Sequence, residues 1–320
     1  MGPNHKAAAQ TTRRAVIGGF AAVAMGGPAG LGSGAAGAAT APAPVKVGAV
    51  ALMVVSDGTL SAPRAFALPG TPPAEVEALY RESGREAPAQ LVSQTNATLA
   101  RVGGELVLID AGSGPNFQPT AGRLSENLEA AGIDPGSIAK VVFTHGHADH
   151  LWGALDDFED QERFPNATYV VPAAEWDFWT DPDTASRVPD WLKGMARGSA
   201  RVLKRIEGKV ERRRAGEAVA PGLTYLDTAG HTPGHMAVMV ESGPERLLVG
   251  GDVLANPVVS FRRPDWPFGS DLDRDAGAAT RRRLLDRLAA DRIPLIGFHL
   301  PWPGIGRVAR DGAAYRFEAM

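Results

Sequence analysis

The residues best suited to chemistry lie in one short run, Thr144–His150, whose sequence is Thr-His-Gly-His-Ala-Asp-His. The chain has seven histidines in 320 residues, and three of them fall in this run. Imidazole nitrogens suit zinc and related ions, and carboxylate oxygens suit harder cations, so His145, His147, Asp149 and His150 offer four ligands in one turn. The alternative is a polar loop whose histidines make only local hydrogen bonds. Such density favours a metal site, because clustered imidazoles and a carboxylate need a shared cation.

Other ligand-type residues follow strand-like apolar runs later in the chain. The Thr144–His150 run itself follows the short β-branched stretch Ala139–Phe143. The same design recurs with Leu223–Leu226 before His231, Leu247–Val249 before Asp252, and Pro294–Ile296 before His299. Buried strands of this length and composition predict a sheet. We expect the four loops to leave that sheet at one edge and to meet there.

The elements that position these residues alternate between strands and helices, which predicts an α/β class. The sequence predicts a first strand over Val45–Val55 that turns at Ser56-Asp57-Gly58, and a hairpin about Gly103-Gly104. Residues 61–73 are predicted to form an irregular loop. Helices are predicted over Ala74–Ser83, Leu124–Ala131, parts of 174–208, and Ala276–Ala290. Another is expected to begin near Leu151–Leu155, with Asp149 at its N-cap or in its first turn.

These motifs resemble the metallo-β-lactamase superfamily over nearly all of the chain beyond its first forty residues. The resemblance implies an αβ/βα four-layer sandwich in a single domain, residues 39–320. It also implies that His145, His147 and His231 hold one metal, that Asp149, His150 and His299 hold a second, and that Asp252 bridges them. Two divalent ions are expected, with zinc favoured and manganese, cobalt or iron as alternatives.

Two further polar residues are predicted to support these ligands. His235, in Gly230-His231-Thr232-Pro233-Gly234-His235, is left without a metal because the ligand set is already complete, so a supporting or structural role is expected. Asp110, in Leu108-Ile109-Asp110-Ala111-Gly112, either orients a ligand histidine or forms a turn before Gly112.

Finer matches resemble the methyl parathion hydrolase group, whose members are exported dinuclear hydrolases of phosphotriesters and, in some cases, lactones or aryl esters. The segments that carry these matches are Ser56–Thr59, Phe164–Ala167, Trp176–Trp179 and the tail His299–Gly306. With no Cys in the chain, relatives that use a cysteine ligand are excluded. Acyl-homoserine lactonases carry a tyrosine three residues after the bridging aspartate, where this chain has Ala255, which argues against their typical activity.

The expected reaction is hydrolysis by a hydroxide held between the two metals, which attacks a phosphorus or carbonyl centre. No side-chain nucleophile is needed, in agreement with the lack of a Gly-x-Ser-x-Gly motif. Asp252, or secondarily Asp149, is expected to pass a proton to the leaving group. The predicted substrate pocket includes Phe117, Trp152, Trp179 and Trp191, although each of these aromatic residues is equally suited to the core. The alternatives are an iron-dependent redox member of the superfamily, β-lactamase or acyl-homoserine lactonase activity, and a non-catalytic metal-dependent binding protein.

The first 38 residues are predicted to be a twin-arginine signal peptide. Thr12-Arg13-Arg14 precedes the short apolar stretch Ala15–Met25, and Ala36-Gly37-Ala38 offers a small-residue cleavage site. We therefore expect the twin-arginine export machinery as a partner and a periplasmic or secreted location. The apolar stretch is too short and too rich in glycine for a stable membrane span.

The composition limits the remaining partners. A net charge of -3 and a pI near 6.2 argue against a general nucleic-acid surface. The expected partner is a small-molecule ester substrate, and a homodimer is open beside a monomer.

Overall fold

Apolar strand runs and their alternating faces build two sheets over the part of the chain that the structure describes. The structure is a computed structural model, and it describes residues 40–156 and 161–320. The predicted signal peptide, residues 1–38, lies outside the described residues. Residues Ala38–Met320 form one unit, and no helix of the described residues is long and apolar enough to cross a membrane.

The first sheet has seven strands that neighbour one another in chain order. They are β1 (Ala43–Val47), β2 (Val50–Pro63), β3 (Gln90–Val102), β4 (Glu105–Ile109), β5 (Ile138–Val142), β6 (Thr168–Pro172) and β7 (Val210–Arg213). The pairs from β1 to β4 are antiparallel, and those from β4 to β7 are parallel. The carboxyl ends of β4, β5 and β6 therefore meet at one edge.

The second sheet also has seven strands and follows the reverse chain order from β14 to β8. They are β8 (Ala218–Ala220), β9 (Leu223–Asp227), β10 (Met236–Ser242), β11 (Glu245–Val249), β12 (Leu295–Ile296), β13 (Ile305–Asp311) and β14 (Ala314–Ala319). Strands β11 and β12 are parallel, and the others pair antiparallel. The ends of β11 and β12 and the connection between β9 and β10 consequently share one edge.

Nine α-helices lie among the described residues. They are α1 (Arg64–Ala67), α2 (Pro73–Glu82), α3 (Leu124–Ala130), α4 (Ala148–Leu151), α5 (Ala173–Thr180), α6 (Thr184–Arg187), α7 (Asp190–Ile206), α8 (Val259–Arg262) and α9 (Arg274–Asp291). Short 3-10 turns lie at Pro135–Ser137, Trp152–Ala154, Glu207–Lys209 and Gly251–Val253.

Three apolar cores separate the layers, because successive side chains of a strand point to opposite faces. Val142 of β5 lies in the core between the sheets, which also contains Val238 of β10. The adjacent Val141 lies in the core between the first sheet and helices such as α7, together with Leu192. A third core packs α9 on the outer face of the second sheet, through residues such as Leu285. The predicted αβ/βα four-layer sandwich is confirmed.

The predicted turn at Ser56-Asp57-Gly58 is wrong. Strand β2 continues to Pro63, and the pairing with β3 shifts between Ser56 and Gly58 as a β-bulge. The bulge turns the buried Asp57 carboxylate inward, where it accepts hydrogen bonds from Ser113, Gly122 and Leu124. The predicted irregular loop over 61–73 is also partly wrong, because it contains the end of β2 and helix α1.

The helix predicted near Leu151–Leu155 begins earlier and is shorter. Helix α4 ends at Leu151, and Trp152–Ala154 continues as a 3-10 turn. Its N-cap is His147, which makes no side-chain hydrogen bond, and Asp149 lies in the first turn as expected. Asp149 lies inside the first turn, so its carboxylate is available to the site instead of to the helix end.

Candidate metal centre

The predicted ligands all leave the two sheets at the edges described above. His145 and His147 follow β5, and His231 lies between β9 and β10. Asp252 lies in the 3-10 turn after β11, and His299 follows β12. A backbone hydrogen bond of 2.9 Å from Met236 N to Thr144 O joins the loops of the two sheets. The site therefore lies where the edges of both sheets meet.

The seven predicted ligands form two groups of four that share Asp252. Within each group the candidate ligand atoms all lie within 4.8 Å of one another, and every residue is buried. The first group is His145, His147, His231 and Asp252, and the second is Asp149, His150, Asp252 and His299. Two adjacent cation positions joined by one carboxylate follow from this arrangement.

Buried polar atoms without a partner test whether cations fit. Among the described residues, Nε2 of His145 is buried and makes no hydrogen bond, while Nε2 of His150 and Oδ1 of Asp252 are buried and face each other at 2.9 Å without a well-formed one. Nε2 of His231 faces Nδ1 of His147 at 2.9 Å. Buried polar atoms are normally satisfied, so this donor set lacks a central partner. Three or four nitrogen and oxygen ligands per position suit a divalent ion. The two groups of residues therefore fit two divalent ions, one at each position.

Asp110 supports the second group through His150. Its Oδ2 lies 2.8 Å from Nδ1 of His150, and its Oδ1 accepts the backbone N–H of Thr144 at 2.8 Å. Asp110 also has a φ of 64°, which is uncommon outside glycine. The structure assigns no turn at Asp110 and places its carboxylate on the candidate ligand His150, so the contact fits the predicted orienting role. A carboxylate on one ring nitrogen fixes the tautomer and turns the other nitrogen to the metal.

Asp271 supports the first group in the same way through His231. Oδ1 of Asp271 lies 2.9 Å from Nδ1 of His231, and its Oδ2 accepts a bond of 2.8 Å from Arg281. Arg281 is 2 % exposed, and it also donates to the carbonyl oxygens of Val253, Pro264 and Trp266. A buried guanidinium is tolerable only when its donors are satisfied in this way.

His235 lies beside the site and belongs to neither ligand group. Its Nε2 accepts the backbone N–H of Asp252 at 3.0 Å, and its Nδ1 lies 2.8 Å from the hydroxyl of Thr228. Burial, followed by the nearby His231, lowers the pKa of His235 to about 3, so the ring is neutral. His235 therefore positions the turn that carries Asp252.

In the metal-free chain, the pKa values of the candidate ligand histidines shift in different directions. Burial lowers the pKa of His145 and His147 well below the usual value. Burial alone would also lower the pKa of His231 and His299, but Asp252 and other carboxylates raise these values to about 9 and about 10. Nδ1 of His299 lies 2.8 Å from the carbonyl oxygen of Gln94.

Glu175 was not predicted, although it contacts both histidine loops. It is fully buried, and it accepts the backbone N–H groups of Gly146 and Gly234 and the indole N–H of Trp179. Asp271 and Arg281 were also missed. The available signal for Glu175 was its position just after strand β6, which repeats the design of the other loops. Asp271 and Arg281 follow no strand end, and nothing local in the sequence marks them.

The four predicted pocket aromatics occupy different places. Trp179 is 1 % exposed and packs behind His147, with ring centroids 5.6 Å apart, so it belongs to the core and not to an open pocket wall. Trp191 is half-buried, and its ring centroid lies 6.5 Å from that of His147. It also borders a cavity of about 560 Å³. Trp152 and Phe117 are half-buried and contact each other edge to face at 5.8 Å.

A family model described as the metallo-beta-lactamase superfamily matches residues 91–298. Among curated relatives, an N-acyl homoserine lactonase from a Bacillus species is 29 % identical over 130 residues, which are 40 % of this chain and 44 % of the relative. A probable metallo-hydrolase of Bacillus subtilis is 30 % identical over 175 residues, or 49 % of this chain and 53 % of the relative. The chain thus spans about half the length of these curated relatives.

Two solved structures are similar over more of the chain. One is AidC, described as a dizinc quorum-quenching lactonase in complex with a product, with a TM-score of 0.81 and 26 % identity over 88 % of this chain and 98 % of that one. The other is AbOPH, described as a hydrolase in the beta-lactamase superfamily, with a TM-score of 0.81 and 26 % identity over 88 % of this chain and 97 % of that one.

Proposed function

Since the chain belongs to the metallo-beta-lactamase superfamily, we propose that it is a dinuclear metal-dependent hydrolase that opens lactones. The observation that carries the proposal is the pair of buried four-residue ligand groups that share Asp252. The similarity to a dizinc lactonase over most of the chain supports lactones as the substrate class.

Lactones belong to the predicted substrates, and the expectation drawn from Ala255 argues only against acyl-homoserine lactones among them. In the structure Ala255 packs against an apolar cluster that contains Val259 and Trp266, and it brings no hydroxyl to the site. We therefore propose that lactone binding depends on other groups around the centre.

Phosphotriesters and aryl esters are a second candidate substrate class, and the tail His299–Gly306 favours it. This tail carries the predicted similarity to methyl parathion hydrolases, and its loop is held in place by the side chain of Asn96. The Asn96 amide donates to the carbonyl oxygens of Gly297 and Leu300 at 3.0 and 2.8 Å. Both candidates use the same ligands and differ in the geometry of the attacked centre.

We propose zinc at both positions, because histidine nitrogens with one or two carboxylate oxygens are typical zinc ligands. Bound there, two cations would polarise the substrate oxygen and lower the pKa of water. His145, His147 and His231 would hold the first, Asp149, His150 and His299 the second, and Asp252 both. Asp110, Asp271 and His235 would keep these ligands in place.

Asp252 and Asp149 are the carboxylates assigned to proton transfer. Burial alone would raise the pKa of each carboxyl, but nearby histidines, His299 and His150 among them, hold both well below the usual range. Both groups are therefore ionised at neutral pH in the metal-free chain. We assign Asp252 first, and Asp149 second, to take the proton that the attacking water loses and to pass it to the departing oxygen. An alkoxide from a lactone needs that proton more than an acidic phenol does.

The proposal is tested by metal analysis of the purified protein together with hydrolysis of a lactone panel, a nitrophenyl ester and a nitrophenyl phosphotriester. We expect two metals per chain and the highest kcat/KM on lactones. Asp252→Asn should lower kcat/KM by more than about 100-fold, since even outer partners of a metal ligand contribute 10- to 100-fold. The exposed Asp183→Asn is the matched control. Fewer than two metals, or an active Asp252→Asn, contradicts the dinuclear mechanism, and oxygen consumption by the iron-loaded protein would favour the redox alternative.

We also propose export by the twin-arginine machinery, which places the enzyme in the periplasm or outside the cell. Thr12-Arg13-Arg14 and the small residues Ala36-Gly37-Ala38 support this proposal. A monomer and a homodimer are both compatible with the proposed function, and light scattering of the processed protein distinguishes them.

A further inference from the structure

Glu175 is a buried carboxylate that accepts hydrogen bonds from three neutral donors. It lies in the first turn of α5 and is 0 % exposed. Its Oε2 accepts the backbone N–H of Gly146 at 2.8 Å and the indole N–H of Trp179 at 2.6 Å, and its Oε1 accepts the backbone N–H of Gly234 at 2.7 Å. A carboxylate has acceptors only, so this set of three neutral donors matches the ionised form.

The two glycines belong to the turns that carry the ligands of the first metal position. Gly146 separates His145 from His147, and Gly234 follows three residues after His231. Both turns lie so close to α5 that a side chain would not fit. A Cβ on Gly146 would lie 2.2 Å from the indole nitrogen of Trp179, and one on Gly234 would lie 2.5 Å from the backbone nitrogen of Glu175.

Burial of a negative charge among neutral donors is unfavourable unless a cation lies near. Burial raises the pKa of Glu175, and its hydrogen bonds act in the opposite direction. The turns that it binds carry His145, His147 and His231, and a cation on these histidines would favour the ionised form of Glu175.

The second metal position has different supports. His150 is oriented by Asp110, and His299 by the carbonyl oxygen of Gln94. Asp149 lies within helix α4. None of these contacts involves Glu175, so a loss of the Glu175 carboxylate should act on one of the two positions.

We propose that Glu175 is a positioning residue of the first metal position: its carboxylate joins the turns that carry His145, His147 and His231 and sets the metal affinity of these three ligands. The inference rests on the proposed function, because it requires a metal on these histidines. It deepens that function by separating the two positions according to their supports.

The experiment removes the bound metals with a chelator and titrates the full protein with Co²⁺, following the visible absorption and competition with a coloured chelator. For Glu175→Gln we expect the affinity of one equivalent to fall about 10- to 100-fold, with altered absorption bands, while the other equivalent is unchanged. The matched control is Asp177→Asn, which neutralises an exposed carboxylate on the same helix, and it should bind both equivalents as the wild type does.

The outcomes separate the two proposals. A wild type that binds fewer than two equivalents overturns the dinuclear function itself. Two wild-type equivalents, with a folded Glu175→Gln that binds both unchanged or loses both equally, overturn the role of Glu175 alone.

If Glu175→Gln does not fold, a measurement on the wild-type protein tests the same hydrogen bonds. Amide hydrogen exchange should show slow exchange at both Gly146 and Gly234, since carboxylate-bonded buried amides are protected. Fast exchange at either glycine, at the rate of exposed loop amides, would contradict the hydrogen bonds by which Glu175 joins the two turns.

Discussion

Nδ1 of His231 lies 2.9 Å from Oδ1 of Asp271, and this contact connects the candidate metal centre to the buried face of helix α9. The other oxygen of Asp271 is bound by Arg281 at 2.8 Å. The aspartate fixes the ring of His231 so that Nε2 faces the other ligands. Arg281 balances the charge of an aspartate that is itself buried, so packing of α9 and geometry of the ligand are linked.

Arg281→Met should lower the free energy of unfolding by about 3–5 kcal/mol, because it leaves the Asp271 carboxylate buried without its cation. Denaturant unfolding of the metal-loaded protein measures the change. Arg282→Met, at an exposed position of the same helix, is the control and should change stability by less than about 0.5 kcal/mol. Equal losses for the two variants would contradict the structural role of Arg281.

Asp110→Asn should weaken one of the two metals about 10- to 100-fold, because an amide cannot accept from both His150 and Thr144 as the carboxylate does. Chelator competition measures the affinities. Since Asp110 contacts His150, the loss of affinity should fall on the second metal position, which is the metal equivalent that Glu175→Gln leaves unchanged. Loss of the same equivalent in both variants would show that the assignment of supports to the two positions is wrong.

The metal-free protein should lose stability between about pH 7 and pH 10. The folded pKa values of His231 and His299, about 9 and about 10, exceed the unfolded value of 6.5. Their protonation therefore stabilises the fold fully below the unfolded pKa, and this contribution is lost as pH rises through the folded values. His145 and His147 do not titrate in this window, because their pKa values are lowered. Thermal unfolding of chelator-treated protein measures the decrease in Tm.

Metal-loaded protein is the control for this pH dependence, since bound cations replace the protons on both histidines. Its Tm should fall less over the same interval. If the loaded and the metal-free Tm fall in parallel, the titration lies elsewhere in the molecule.

Asp57→Ala should destabilise the fold by about 3 kcal/mol or more, because buried donors of Ser113, Gly122 and Leu124 lose their acceptor. Denaturant unfolding measures the loss, with Asp177→Ala at an exposed position as control. A loss no larger than that of the control would mean that the β-bulge at Asp57 does not order the loop over residues 113–124.

Replacement of Arg13 and Arg14 by lysine should block export, because twin-arginine signals depend on the arginine pair. The precursor should then accumulate uncut inside the cell, as detected by fractionation and mass measurement. Processing of the double variant at the wild-type rate would argue for a different export route.

The ligand loops could be predicted from the sequence because each follows a buried strand. The expectation that all four leave one sheet was wrong, because β5 belongs to the first sheet and β9, β11 and β12 to the second. The bulge at Asp57 could not be predicted, because its cause is a set of backbone donors more than fifty residues away. Glu175 was missed for the same reason. Its principal partners are the amides of Gly146 and Gly234, and a backbone amide leaves no trace in side-chain pattern.

The short helix α4 and the buried Trp179 show a second limit. Local propensity favoured a longer helix after Asp149, but the loop geometry of the site ends α4 at Leu151. Trp179 belongs to a motif expected to line the pocket, yet its indole N–H bonds Glu175 behind the ligands. Which face of an aromatic residue is open depends on tertiary packing and not on its motif.

Each ligand group takes residues from both sheets, so a bound cation is also a cross-link between the two halves of the chain. His147 and His231 are 84 positions apart, and a cation that binds both closes a long loop in a chain without cysteine. Tying distant residues together restricts the unfolded ensemble, as a disulfide does, and metal binding adds directly to folding free energy. Chelation should therefore shift the unfolding transition of both sheets together. In a chain without cysteine, metals bound at these two positions would take the place of disulfides.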